Sequence, residues 1–237
     1  MIPAQVNHIH VLGALALSLA CAPAGNSRQG AETTTVVRAE TVSVAAKPAP
    51  TDSNITRADL ARIQGSASAP VWVIEVSDFQ CPYCKQWHDE SFAAIDREYV
   101  QTGKVRLAYL NFPLASIHKN ARAAAEAAMC ASVQGKFWPL HASLFGTQSR
   151  WAEAANPMPT FDSLAVAAGA NPVAWRQCMT SHATGPIIDA DRDRSSGAGV
   201  QSTPTFFVGD RKLEGAYPVD SFRVAIDAAI AKARAGK

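Results

Sequence analysis

The sequence predicts an α/β fold in which a βαβ unit and a ββα unit share one sheet, with an all-helical domain inserted between them. Three observations carry this expectation. Residues 71–112 read strand, helix, strand; residues 116–197 are almost wholly helical; residues 205–233 read as a β-hairpin followed by a helix. A chain of 237 residues, 48% hydrophobic and 18% charged, is long enough to bury a sizeable core. Its formal net charge of +2 is too weak to point to nucleic acid or an anionic membrane surface as a partner.

Residues 11–22 form an uncharged apolar run, too short to span a bilayer, that reads as the hydrophobic region of a secretory signal. Residues 1–10 carry no Lys or Arg, only His8 and His10, which is atypical of such a signal. Processing of this leader, 1–22, is open between three readings. Leu19-Ala20-Cys21 resembles the end of a bacterial lipoprotein box, which would make Cys21 a lipid anchor, although Ser18 stands where Leu is usual. Ala22-Pro23-Ala24 offers a small-x-small cleavage site that would discard Cys21, and Cys21 also fits an ordinary apolar leader residue. Residues 23–55, rich in Ala, Thr, Ser, Pro and Gly without apolar periodicity, read as a flexible tether.

A short helix over 54–63 precedes a turn at 65–70. Val71-Trp72-Val73-Ile74-Glu75-Val76 is β-branched and nearly continuous in apolar residues, the pattern of a buried strand. Cys84, Trp87, Ser91, Phe92, Ile95 and Tyr99 then recur at three- and four-residue steps, giving an amphipathic helix over 82–100. Residues 105–112 are the second strand, closed by Pro113, and the order implies a parallel pair.

The inserted stretch predicts helices at 116–134, capped by Gly135, at 137–145 and at 161–168, stopped by Gly169. Another starts at Asn171-Pro172, in cap-then-proline order, and runs to about 181; one more covers 187–196. Strands at 205–208 and 212–214 flank a Gly209-Asp210 turn, and an amphipathic helix over 219–233 closes the chain.

The chemistry concentrates at Cys81-Pro82-Tyr83-Cys84, at the seam between strand and helix. Cys81 there faces unsatisfied backbone N–H groups and the positive end of the helix dipole, which favour a thiolate over a thiol. One Cys-x-x-Cys beside a βαβ unit reads as a redox motif. A structural zinc site wants four ligands, and no second Cys-x-x-Cys or close Cys/His pair exists. A purely structural disulfide across two residues would constrain almost no chain entropy.

Val73 to Cys84, the helix after it, and Gly199 to Val208 resemble the DsbA-like family of thiol–disulfide oxidoreductases, a thioredoxin-like fold with an inserted helical domain. Gln134-Gly135-Lys136-Phe137-Trp138 and Leu213-Glu214-Gly215 are similar to its single-domain members carrying Cys-Pro-Tyr-Cys, and the resemblance covers roughly residues 65–235. It divides the chain into leader 1–22, tether 23–55, a thioredoxin-like domain in two parts (56–114 and 198–237) and a helical insertion, 115–197.

The resemblance implies an enzyme, a protein disulfide oxidoreductase that introduces disulfides into exported proteins. Cys81, N-terminal and exposed, would be the nucleophile, and Cys84, more buried, would resolve the mixed disulfide. Pro82 and Tyr83 would tune the thiolate and meet substrate. Glu75 matches the family's buried acid, which would shuttle the Cys84 proton; Asp78 reads as a cap or turn residue. Pro204 matches the family's cis-proline, and Thr203 before it would pair with an extended substrate by strand addition. Cys130 and Cys178 suggest a disulfide in an exported protein, as in some family members, although two buried free thiols fit them too.

His88 reads as a partly exposed helix residue, His118, His141 and His182 show no ligand spacing, and Trp72, Trp87, Trp138 and Trp175 read as core or groove lining. No phosphate loop or dinucleotide fingerprint appears, so no cofactor and no metal are expected. The implied partners are unfolded or reduced exported proteins and a membrane-bound reoxidising protein, with no nucleic acid. The implied setting is a bacterial periplasm or cell envelope, and the implied state a monomer. Disulfide isomerase, reductase, metallochaperone or redox-sensing module use the same thiols, and the reduction potential separates them.

Overall fold

In the computed structural model, which describes residues 53–236, β1 (Ile63–Gln64), β2 (Val71–Ser77), β3 (Val105–Asn111), β4 (Thr205–Val208) and β5 (Arg211–Glu214) form one sheet in the order β1-β3-β2-β4-β5. The leader, Cys21 and the tether through residue 52 lie outside the described residues. β2 and β3 run parallel, from Val71↔Val105 to Ser77↔Asn111; the other pairs are antiparallel. This is the thioredoxin-like architecture, with the inserted helices between β3 and β4.

β2 is apolar because both its edges and its faces are occupied. Val71 and Val73 join Leu107, Phe206 and Val208 in a cluster with Trp87, Ile95, Phe222 and Ile226, from the helices on that face. Trp72 points to the opposite face and is 39% exposed, with the Arg106 guanidinium 4.7 Å over its ring. Strand alternation thus sends Trp72 away from the core, and it lines a surface groove with Pro70, Gly209 and Lys232, within its reading as core or groove lining.

Helix α2, residues 82–100, is continuous but mixed: α-helix at Pro82–Trp87 and Ala93–Ile95, π turns at His88–Phe92 and Asp96–Val100. Helix α1 (Ser53–Ala61) begins inside the stretch read as tether. Residues 63–64, read as a helix end and turn, pair instead with Ala108 and Leu107; a two-residue strand has no periodicity to reveal it. Helix α3 (Ala121–Ser132) starts five residues later than its apolar pattern suggests, because 114–120 turn back on themselves through Ile117 and His118 N–H groups donating to the Leu114 carbonyl.

The rest of the insertion comprises α4 (Phe137–Gly146), α5 (Gln148–Trp151), α6 (Met158–Ala167), α7 (Pro172–Thr180) and α8 (Gly185–Gly197). Asn171 caps α7, its side chain accepting from the Val173 and Ala174 N–H groups. Helix α9 (Val219–Ala235) packs on the sheet through Phe222, Ala225 and Ile226.

Two ties fix the insertion. Asp191 of α8, fully buried, accepts from Arg62, from the backbone and side-chain amides of Asn111 at 3.0 Å each, and from Arg194 at 2.8 Å. Cys130 of α3 and Cys178 of α7 form a disulfide with Cα atoms 5.7 Å apart. The bridge spans 48 positions of sequence. A Cys130→Ala/Cys178→Ala variant should therefore lose about 4 kcal/mol in chemical denaturation by the chain-entropy account; a loss under about 1 kcal/mol would contradict it.

Candidate functional site

Asp78 to Cys84 is the turn from β2 into α2. The Cys81 N–H donates to the Asp78 carbonyl at 3.1 Å, and Cys81 is the N-cap of α2, extended at φ −67°, ψ 126°. Pro82 occupies the first helical position, where its missing N–H leaves nothing unsatisfied and its fixed φ suits the helix. The Cys81 carbonyl then accepts from Lys85, opening the helical ladder.

Both cysteines are free thiols, and their surroundings differ. Cys81 is only 4% exposed, which corrects the expectation of an exposed nucleophile. Its sulfur is roofed by the 202–204 loop, donating to the Thr203 carbonyl at 3.4 Å, so attack must come through that roof. Cys84 is fully buried and accepts from the Asp78 N–H at 3.5 Å.

Hydrogen bonding from the Cys84 thiol, foremost, pulls the Cys81 pKa down to about 6 against the opposing effect of burial. Thr203 and the N–H groups of Cys84 and Tyr83 add to the lowering. Burial, together with its role as donor to Cys81, pushes Cys84 well above an ordinary thiol. One sulfur is thus a thiolate at neutral pH and the other a thiol.

The Thr203–Pro204 peptide is cis. Among the described residues nothing accepts from the Thr203 N–H, and the Thr203 hydroxyl is buried without a partner. Tyr83, 62% exposed, faces a groove of about 380 Å³ formed with Gln86, Ser202, Thr203, Glu214, Gly215 and Ala216. Pro82, the other residue expected to meet substrate, is exposed but is not among the residues that form this groove.

Glu75 lies behind the cysteines on β2, fully buried, with neither carboxyl oxygen hydrogen-bonded. Burial pushes its pKa up to about 8, the nearby Ser77 hydroxyl offsetting a little. Tyr109, its register partner on β3, is raised well above an ordinary phenol by burial and then by the Glu75 charge.

Several residues that hold the site were not singled out for it from the sequence. Asp78 Oδ1 accepts from the Gln80 N–H at 2.7 Å, and its Oδ2 from Leu114 N–H at 2.9 Å and His118 Nδ1 at 2.7 Å. Gln148 Nε2 donates to the carbonyls of Phe79 and Cys81 at 2.7 and 3.0 Å. Gln80 and Asn120 lace the same turn to α5 and the residues after it. Turn-forming chemistry marked Asp78; nothing local marks Gln148, 67 residues from the atom it holds. His88 is half-buried against Phe92 and Phe145, and His141 is fully buried among the rings of Phe79, Tyr109, Phe137 and Trp138. Among the described residues no group of three or more His, Cys, Asp or Glu side chains is arranged to hold a metal ion, and no helix is long and apolar enough to cross a membrane.

A family model described as thioredoxin matches residues 58–228. The oxidised BdbD of Bacillus subtilis aligns at 23% identity with a TM-score of 0.66, covering 71% of this chain and 92% of that one. Wolbachia pipientis alpha-DsbA1 aligns at 22% identity and the same TM-score of 0.66, over 74% and 93%. Among curated relatives, disulfide bond formation protein D of Bacillus subtilis is 22% identical over 70% of this chain and 75% of that one. A Na(+)/H(+) antiporter, NhaA 3 of Salinispora tropica, is 33% identical over 74% of this chain, but the match spans only 26% of the antiporter. The chain thus spans about a quarter of the length of the first curated relatives it matches.

A buried carboxyl whose folded pKa is raised disfavours the fold as it ionises. Its cost is absent below the unfolded value near 4.5 and complete above the folded value near 8. Glu75→Gln should therefore match the parent in stability at pH 4 and exceed it increasingly up to pH 9, measured by urea unfolding across that range. Equal stabilities at pH 9 would contradict a buried, unpaired carboxyl.

Proposed function

This chain belongs to the thioredoxin family, and on that premise we propose that it is an exported protein disulfide oxidoreductase of DsbA-like type. It introduces disulfides into substrate proteins through Cys81 and Cys84. The observation that carries the reading is the contrast between the two sulfurs: a Cys81 thiolate made stable at neutral pH, beside a buried Cys84 thiol. A stabilised thiolate favours the dithiol form and so makes the disulfide form the stronger oxidant.

In the proposed direction, a substrate thiolate attacks Cys81 Sγ of the Cys81–Cys84 disulfide. A mixed disulfide forms and Cys84 leaves as a thiolate that takes up a proton. A second substrate thiolate then attacks the substrate sulfur of the mixed disulfide, closing the substrate's disulfide and releasing the Cys81 thiolate. Two electrons pass from substrate to the cysteine pair. Glu75, largely protonated at neutral pH, is the source of the Cys84 proton. An extended substrate lies in the groove beside Tyr83, with the unpaired Thr203 N–H as its backbone partner.

Export through the leader, a periplasmic or cell-envelope location, anchoring through Cys21, action as a monomer and reoxidation by a membrane-bound protein belong to the same proposal. So does the division into thioredoxin-like parts 56–114 and 198–237 around the insertion 115–197. The likeness to disulfide bond formation protein D of Bacillus subtilis supports the general activity.

The test is oxidation of a reduced, unfolded ribonuclease by the oxidised protein, followed by regain of ribonuclease activity. The parent should form ribonuclease disulfides stoichiometrically and Cys81→Ser should not, whereas Cys84→Ser, given disulfide-bonded ribonuclease instead, should accumulate a mixed disulfide through Cys81 as its thiolate attacks a ribonuclease disulfide and displaces the other sulfur. Oxidation by Cys81→Ser at the parent's rate would remove Cys81 from the mechanism.

A further inference from the structure

Beneath Cys84, two paired strands present a row of buried polar groups without hydrogen-bond partners. Glu75 and Ser77 lie two residues apart on β2, hence on one face of the sheet, and their register partners on β3 are Tyr109 and Asn111. All four are 0–1% exposed. Both Glu75 carboxyl oxygens, the Ser77 hydroxyl, the Tyr109 hydroxyl and Asn111 Oδ1 make no hydrogen bond. Such a concentration of unsatisfied buried groups is unusual in a folded chain and calls for an explanation, a catalytic role among them. Asn111 itself is pinned by Asp191, so its end of the row is rigid.

Ser77 stands at the Asn111 end of this row, two residues along β2 from Glu75. Its hydroxyl interacts with Glu75, with Tyr109 and with the Cys84 sulfur, in each case without reaching a full hydrogen bond. A hydroxyl can donate and accept at once and can rotate between partners. On the opposite side of Glu75, its register partner on β4 is Phe206, which offers no polar route.

Resting on the oxidoreductase reading above, we propose that Ser77 is the proton relay between Glu75 and Cys84. When Cys84 leaves Cys81 as a thiolate, the Ser77 hydroxyl gives it a proton and takes one from the Glu75 carboxyl. The products are a Cys84 thiol, an unchanged Ser77 and a Glu75 carboxylate. In reoxidation the same proton returns to Glu75 as Cys84 becomes the nucleophile. The titratable groups that face this path are Glu75 from β2, Tyr109 from β3, Cys81 and Cys84 from α2, and Asp78 from the turn, with His141 of α4 against Tyr109.

The experiment is single-turnover reduction of the oxidised full chain by dithiothreitol from pH 5 to 9, with rates corrected for the dithiothreitol thiolate. The parent's corrected rate should fall as Glu75 ionises. Ser77→Ala should lower that rate below pH 7 by roughly a hundredfold, the low end of what a positioned proton donor contributes, and should flatten the profile. Glu75→Gln should do the same, the double variant should be no slower than Glu75→Gln alone, and Ser77→Thr should restore the profile. Removing an unpartnered hydroxyl leaves the fold nearly unaffected, so a slow Ser77→Ala is not an unfolded one. An unchanged profile in Ser77→Ala, or losses that multiply in the double variant, would overturn the relay. Because dithiothreitol replaces the protein substrate, the relay can fail while ribonuclease oxidation persists, and can stand where ribonuclease oxidation fails.

Discussion

The backbone turn from Asp78 to Cys84 puts two sulfurs three residues apart into unlike surroundings, and the chemistry of the site follows from that difference. Cys81 caps a helix at its positive end and is offered hydrogen bonds by Cys84 and backbone amides, so its charge is stabilised locally. Cys84, one turn inside, is fully buried and serves as hydrogen-bond donor to Cys81, so its charge is penalised. Neither effect needs a distant charge. Both need the turn to be held still.

The insertion holds it. Gln148 and the Gln80–Asn120 pair clamp the carbonyls and side chains of the turn from α5, while Asp78 anchors the 114–120 loop through Leu114 and His118. Asp191 ties α8 to the end of β3, and the Cys130–Cys178 bridge ties α3 to α7. Phe79, inside the turn, packs against Tyr109, Phe137 and Phe145, so the aromatic core of the insertion reaches the cysteines directly. The helical part therefore supplies the second set of contacts that a preorganised site requires.

Much of this was legible in the sequence because its signals are local. The β-branched run at 71–76, the three-and-four spacing after Cys84 and the Gly209-Asp210 turn each specify an element by their own periodicity or turn chemistry. Cys81 and Cys84 were legible as chemistry for the same reason. What escaped depends on long-range pairing. β1 is two residues of register with β3, Gln148 acts across 67 positions, and the roof over Cys81 comes from a loop 122 positions away. The π turns of α2 leave the apolar spacing unbroken, so nothing in the pattern separates them from α-helix.

The central claim is that stabilising the Cys81 thiolate makes the Cys81–Cys84 disulfide an oxidant, and the reduction potential of that couple tests it most directly. Equilibration of the full chain with glutathione buffers at pH 7, followed by alkylation of free thiols, gives the value. The account predicts a potential clearly above that of thioredoxin, about −270 mV. A potential at or below that value would contradict it, whatever the geometry of the site.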